Sequence, residues 1–97
     1  MVTAIVLVNV KRDAVNETAE ALAEIDGVAE VYSVAGPWDL VAVVRAKTNE
    51  QMAEVVTSHM LKLGGIEKTT TLIAFRAYSR HDLERMFSIG MEEEVES

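Results

Sequence analysis

Two apolar periodicities alternate along this chain, and their order leaves few folds open to it. Val2–Val10 is β-branched and apolar almost throughout, the composition of a strand. Val15, Ala19, Leu22 and Ile25 then recur at helical spacing, with Glu17, Glu20 and Glu24 on the outer side. Between them lies Lys11-Arg12-Asp13, with Asp13 suited to cap the helix; Asp26-Gly27 ends it. Two further strand-like runs, Val28–Val34 and Leu40–Ala46, come next. They flank the turn that holds the only Pro and the only Trp of the chain. Thr48 and Gln51 have the spacing of a capping box. Met52, Val55, Val56, His59, Met60 and Leu63 then form one apolar stripe of a second helix, closed by Gly64-Gly65. Ile66–Ala77, rich in Thr, Ile and Phe, is a fourth strand.

The order β-α-β-β-α-β is that of an α+β, ferredoxin-like sandwich, an antiparallel sheet with both helices on one face. At 97 residues the chain is one domain, expected over residues 1–77. Residues 78–97 differ in character: an amphipathic stretch with Leu83, Met86 and Phe87 on one side, then the acidic tail Glu92–Ser97. The sheet face away from the helices should alternate apolar with polar if it met water. These strands are apolar on both sides, so a second copy is expected to cover the open face, giving at least a homodimer and a dimeric α/β-barrel-like assembly. The set Val6, Val8, Val41 and Val43, or its alternate register, is the expected contact.

Composition narrows the function classes. The formal net charge is −7, and the longest basic run, Lys11-Arg12, is two residues long. Direct nucleic-acid binding is therefore not expected. There is no cysteine, hence no disulfide framework or thiolate metal site. No apolar run reaches membrane-spanning length, and Met1-Val2-Thr3 enters a strand without the marks of a signal peptide. A soluble, cytoplasmic protein without membrane contact is expected. His59 and His81 have no convergent partners at metal-ligand or acid–base spacing; His59 suits a core or interface position. No nucleophile elbow or phosphate-cradling loop is present. No catalytic residue, metal site or cofactor is expected.

Two stretches carry more than structure requires. Gly36-Pro37-Trp38-Asp39 combines a residue without a Cβ, a stiff Pro, a large aromatic ring and a carboxylate at the mouth of a strand. Thr69, Thr70 and Thr71, after Lys68, place hydroxyls on both faces of the fourth strand's start. Together they suit a ligand bearing an ammonium, for Asp39, and a carboxylate, for hydroxyls and backbone N–H groups.

Three segments, Ile25–Val31, Val34–Leu40 and Gly64–Thr71, resemble the effector-binding domain of the Lrp/AsnC transcription regulators, also called the RAM domain. The resemblance spans Val2 to Ala77, and its specific part is the Gly-x-x-Asp turn of Gly36 and Asp39 with the Thr-bearing fourth strand. The usual regulator carries an amino-terminal helix-turn-helix. The first strand here begins at Val2, so the chain resembles the stand-alone form. The resemblance implies a sheet-face dimer assembling further into tetramers, octamers or decamers. It also implies a small amino acid bound between dimers near Gly36, Pro37, Trp38, Asp39, Thr69, Thr70 and Thr71. A full-length Lrp/AsnC regulator is the implied partner. Pro37-Trp38 stands where the family often has a small polar and an aromatic residue, and Pro37 removes one backbone N–H. The expected function is a non-enzymatic amino-acid sensor. The alternative is a small dimeric ferredoxin-like enzyme, of the monooxygenase or isomerase kind, whose cavity would draw on Asn9, Trp38, His59 and Tyr78. A purely structural oligomerisation module is the third reading.

Overall fold

The computed structural model describes residues 1–78 and Arg80. Its elements are β1 (Val2–Val10), α1 (Val15–Ala23), β2 (Val28–Ser33), β3 (Leu40–Ala46), α2 (Asn49–Glu54) and β4 (Ile66–Ala74). A π-helical turn, Val55–Met60, continues α2. All strand pairs are antiparallel, in the order β2-β3-β1-β4. This is the expected ferredoxin-like sandwich. The fourth strand ends at Ala74 rather than Ala77. The expected C-terminal helix and acidic tail lie outside the described residues.

Strand alternation divides the apolar residues between two faces. Ala4, Val6 and Val8 of β1 and Leu40, Ala42 and Val44 of β3 are fully buried, packed with Leu22, Met52, Val55 and Met60 from the helical layer. The residues between them lie on the opposite face. Leu7 sits opposite Val41, and Ile5 opposite Val43 on one side and Leu72 on the other. Val6 and Val8 thus belong to the core, whereas Val41 and Val43 belong to the open face. The expected contact set mixed the two faces; the open set is Ile5, Leu7, Val41, Val43 and Leu72. Valines stand on both sides of β1 and β3, and the polar residues that mark the open side, Thr3, Asn9 and Arg45, lie towards the strand ends.

The helices pack on β1, β2 and β3. β4 at the sheet edge keeps Leu72 (48% exposed) and Ile73 (47%) uncovered on its two sides. Thr48 caps α2 as expected, its Oγ1 accepting from the Gln51 N–H at 3.1 Å, while Gln51 Oε1 reaches one residue further back and accepts from the Lys47 N–H at 2.9 Å. Asp13 does not cap. It lies inside a 3-10 turn, Arg12–Ala14, and Ala14 precedes α1 without a side-chain cap bond. The π turn alters the second helical stripe. The Leu61 N–H donates to the Val56 carbonyl, five residues back, at 3.1 Å. Val55 and Met60 are therefore both buried, and His59 turns out to an exposed position rather than into the core.

Gly27 links α1, β3 and α2. Its φ is +101°, its carbonyl accepts from the Arg45 N–H at 2.8 Å, and a Cβ there would lie 2.9 Å from Val55 Cγ2. Gly27→Ala combines a left-handed strain with that clash, a loss of about 1–3 kcal/mol. Thermal unfolding of this variant is expected to begin roughly 5–15 °C lower than wild type. An unchanged Tm would show that the α1–β2 junction relaxes without cost.

Candidate ligand-binding site

The Gly36 loop and the start of β4 lie at the same end of the sheet, on either side of β1. Residues 34–39 join β2 to β3, and the Val34 N–H donates to the Asp39 carbonyl at 3.1 Å. β1 then anchors the loop. The Asp39 N–H donates to the Val8 carbonyl at 3.0 Å. Asp39 Oδ2 accepts from the Val10 N–H at 3.0 Å and from Asn9 Nδ2 at 3.3 Å, and Asn9 Nδ2 also donates to the Pro37 carbonyl at 3.0 Å. β1 and β4 shift register between Asn9 and Val10. On the other edge of β1, beyond its last pair with β3 (Val8 with Leu40), Asp39 satisfies the Val10 N–H.

The loop is therefore stiff where it meets β1 and open elsewhere. Gly36 has a φ of +130°, and a Cβ there would meet nothing within 4 Å. Among the described residues, the N–H groups of Gly36 and Trp38 have no recorded acceptor, and Asp39 Oδ1 accepts no hydrogen bond. Trp38 and Asp39 are half-buried, while Gly36 and Pro37 are exposed. Lys68 lies opposite Asn9, and its Nζ sits 5.5 Å from the centre of the Trp38 ring. This cation–π contact ties the loop to β4.

Alternation splits the three threonines. Thr70 pairs with Leu7 and shares the open face with Asn9 and Lys68; Thr69 and Thr71 pair with the core residues Val8 and Val6. Asn9 and Lys68 are the members of this cluster that sequence reasoning did not place in it. The signal was present in both: an amide in an otherwise apolar strand, and a lysine two positions before Thr70, hence on the same side of its strand.

The four residues of the enzyme alternative do not converge. Asn9 and Trp38 lie at the end of the sheet where β3 begins. His59 lines a concavity of about 280 Å³ with Arg45 and Ala46, where β3 ends. Seven strand residues, about 20 Å, separate the two ends. Tyr78 comes after β4, its hydroxyl 3.5 Å from a nitrogen of Arg76. Among the described residues no cluster of His, Cys, Asp or Glu could hold a metal ion. No described helix is long and apolar enough to cross a membrane. On the open face, the phenol of Tyr32 is held above its ordinary pKa by the Glu30 carboxylate, first as hydrogen-bond acceptor and then as a negative charge.

A family model for the Lrp/AsnC ligand binding domain matches residues 3–83. The HTH-type transcriptional regulator PH1916 of Pyrococcus horikoshii, itself uncharacterized, is 41% identical over 59 residues, which is 61% of this chain and 39% of that protein. The chain thus spans well under half the length of such relatives. Among solved structures, TTHA0845 from Thermus thermophilus superposes with a TM-score of 0.78 at 54% identity, covering 82% of this chain and 100% of that one. The transcriptional regulator NMB0573 from Neisseria meningitidis, solved as an L-Met complex, superposes with a TM-score of 0.73 at 14% identity, over 81% of this chain and 53% of that one. That last likeness is one of fold alone.

Proposed function

The chain belongs to the Lrp/AsnC ligand-binding domain family, whose members include transcription regulators, and from that premise we propose that it is a non-enzymatic sensor of a small amino acid. The observation that carries this reading is the meeting of the Gly36–Asp39 loop with β4, where a half-buried carboxylate keeps one oxygen unengaged beside an aromatic ring. In this proposal Asp39 Oδ1 accepts the ligand ammonium. The N–H groups of Gly36 and Trp38, with the Thr70 hydroxyl, donate to its carboxylate. Pro37 stiffens the loop, and the Trp38 ring walls the side chain. Thr69 and Thr71 shape the start of β4 from the core side. A neighbouring copy closes the site, and an open face of Ile5, Leu7, Val41, Val43 and Leu72 supplies the drive to associate. The family supports further assembly of dimers and a cytoplasmic partnership with a full-length regulator. Residues 1–77 are the sensing body, with residues 78–97 appended to it. That NMB0573 was solved with L-Met supports the ligand class.

A thermal-shift screen against the twenty amino acids tests this. A ligand at a hundredfold its Kd adds about 2.7 kcal/mol, a rise in Tm of several degrees. No amino acid raising Tm at millimolar concentration would contradict the proposal. With a net charge of −7, the chain by itself is expected to leave duplex DNA unbound at physiological salt. A salt-sensitive micromolar titration in fluorescence anisotropy would show otherwise.

A further inference from the structure

A cavity of about 590 Å³ lies on the open sheet face at the end away from the Trp38 loop. That volume is in the range of sites for small organic ligands. Its wall is apolar at Ile5, Val43 and Phe75 and charged at Glu30, Arg45 and Arg76. Two guanidiniums stand against one carboxylate, a local positive surplus in a chain of net charge −7. Neither Arg45 nor Arg76 has an acidic side chain within ion-pair distance among the described residues. Phe75, beside them on the segment after β4, is 97% exposed.

We propose that this cavity is a second binding site, taking a small monocarboxylate with an apolar body. The guanidiniums of Arg45 and Arg76 hold the carboxylate, as their fork of donors suits. Ile5, Val43 and Phe75 take the apolar body. Glu30, fixed beside the Tyr32 phenol, repels a second carboxylate and so selects against dicarboxylates. The enclosure of the cavity rests on the dimer reading above, because a second copy on this face would roof it; its lining does not.

The two sites can be read separately in one experiment. The chain has a single tryptophan, so the Trp38 indole signal reports the loop, while the Ile5 and Val43 methyl signals report the cavity. The probes are L-leucine, its keto acid ketoisocaproate, and ketoglutarate as the dicarboxylate control. Leucine or ketoisocaproate is expected to move the Ile5 and Val43 methyls at concentrations up to about 10 mM, and ketoglutarate to leave them still. The leucine and ketoisocaproate arms then tell whether the carboxylate comes with an ammonium. Replacing both arginines, Arg45→Gln with Arg76→Gln, is expected to weaken that response at least tenfold with the loop fold intact. Where the double variant changes assembly in sedimentation, Arg76→Gln alone, outside the strands, serves in its place. Still methyls with every probe, shifts confined to the Trp38 indole, or an unaltered titration in the arginine variants would each overturn the proposal. A silent indole with responding methyls would instead count against the loop assignment and leave the cavity standing.

Discussion

Leu7→Lys is expected to convert an oligomer into a folded monomer. Leu7 lies on the open face at the middle of β1, between Val41 on one side and Thr70 on the other, and is half-buried in the single chain. In a lone subunit its side chain meets water, so lysine there costs the fold little. In a two-fold dimer each interface position occurs twice. Losing two buried leucines at about 1.5–3 kcal/mol apiece weakens association by roughly a hundred- to ten-thousandfold, before the lysine charges are counted. The neighbouring Val8 supplies the control. It is fully buried beneath the helices, so Val8→Lys is expected to unfold the domain rather than dissociate it. Analytical ultracentrifugation at micromolar concentration, with circular dichroism on the same samples, separates the two outcomes. A Leu7→Lys variant that sediments as wild type would remove the open face as the interface.

The contrast between Leu7 and Val8 also marks where sequence reading runs out. Element order was legible because two periodicities alternate cleanly, and the Thr48–Gln51 cap and the Gly27 stop are local devices with local signatures. The core face of β1 and β3 is only faintly marked: Thr3, Asn9 and Arg45 share the open side with Ile5, Leu7, Val41 and Val43, but valines stand on both sides. The outward turn of His59 was hidden for a different reason. A π turn changes the repeat of the helix without changing its residues, so a stripe drawn at the α period holds for Met60 and the partly buried Val56 and Leu63 but misplaces His59. The loop and the Thr run could each be singled out, yet their connection is non-local. The Asp39 carboxylate reaches the Val10 N–H 29 residues away, and Lys68 reaches Trp38 across β1. Local turn chemistry suggests instead that Asp39 bonds its own backbone, as Asp often does. That the threonines divide, Thr70 to one face and its neighbours to the other, is a consequence of strand alternation once the register is known.

The Asp39 bond pattern decides which substitution tests the sensor reading. Asp39→Ala would remove the acceptor of the Val10 N–H, a buried donor, and so cost about 1–3 kcal/mol of stability for reasons unrelated to ligand. Asp39→Asn keeps a carbonyl oxygen for Val10 and Asn9 and puts an uncharged NH2 donor in place of the Oδ1 acceptor. If Asp39 Oδ1 receives the ligand ammonium, that change removes a charge-assisted hydrogen bond worth roughly 1.5–3 kcal/mol, or about ten- to a hundredfold in Kd. The measurement is calorimetry of wild type and Asp39→Asn with whichever amino acid stabilises the wild type, in samples of matched oligomeric state. The expected result is the same stoichiometry with a Kd about ten- to a hundredfold weaker in the variant. Equal affinity in an unchanged oligomer would leave Asp39 as a clip between the loop and β1, and would contradict the sensor site assigned to it.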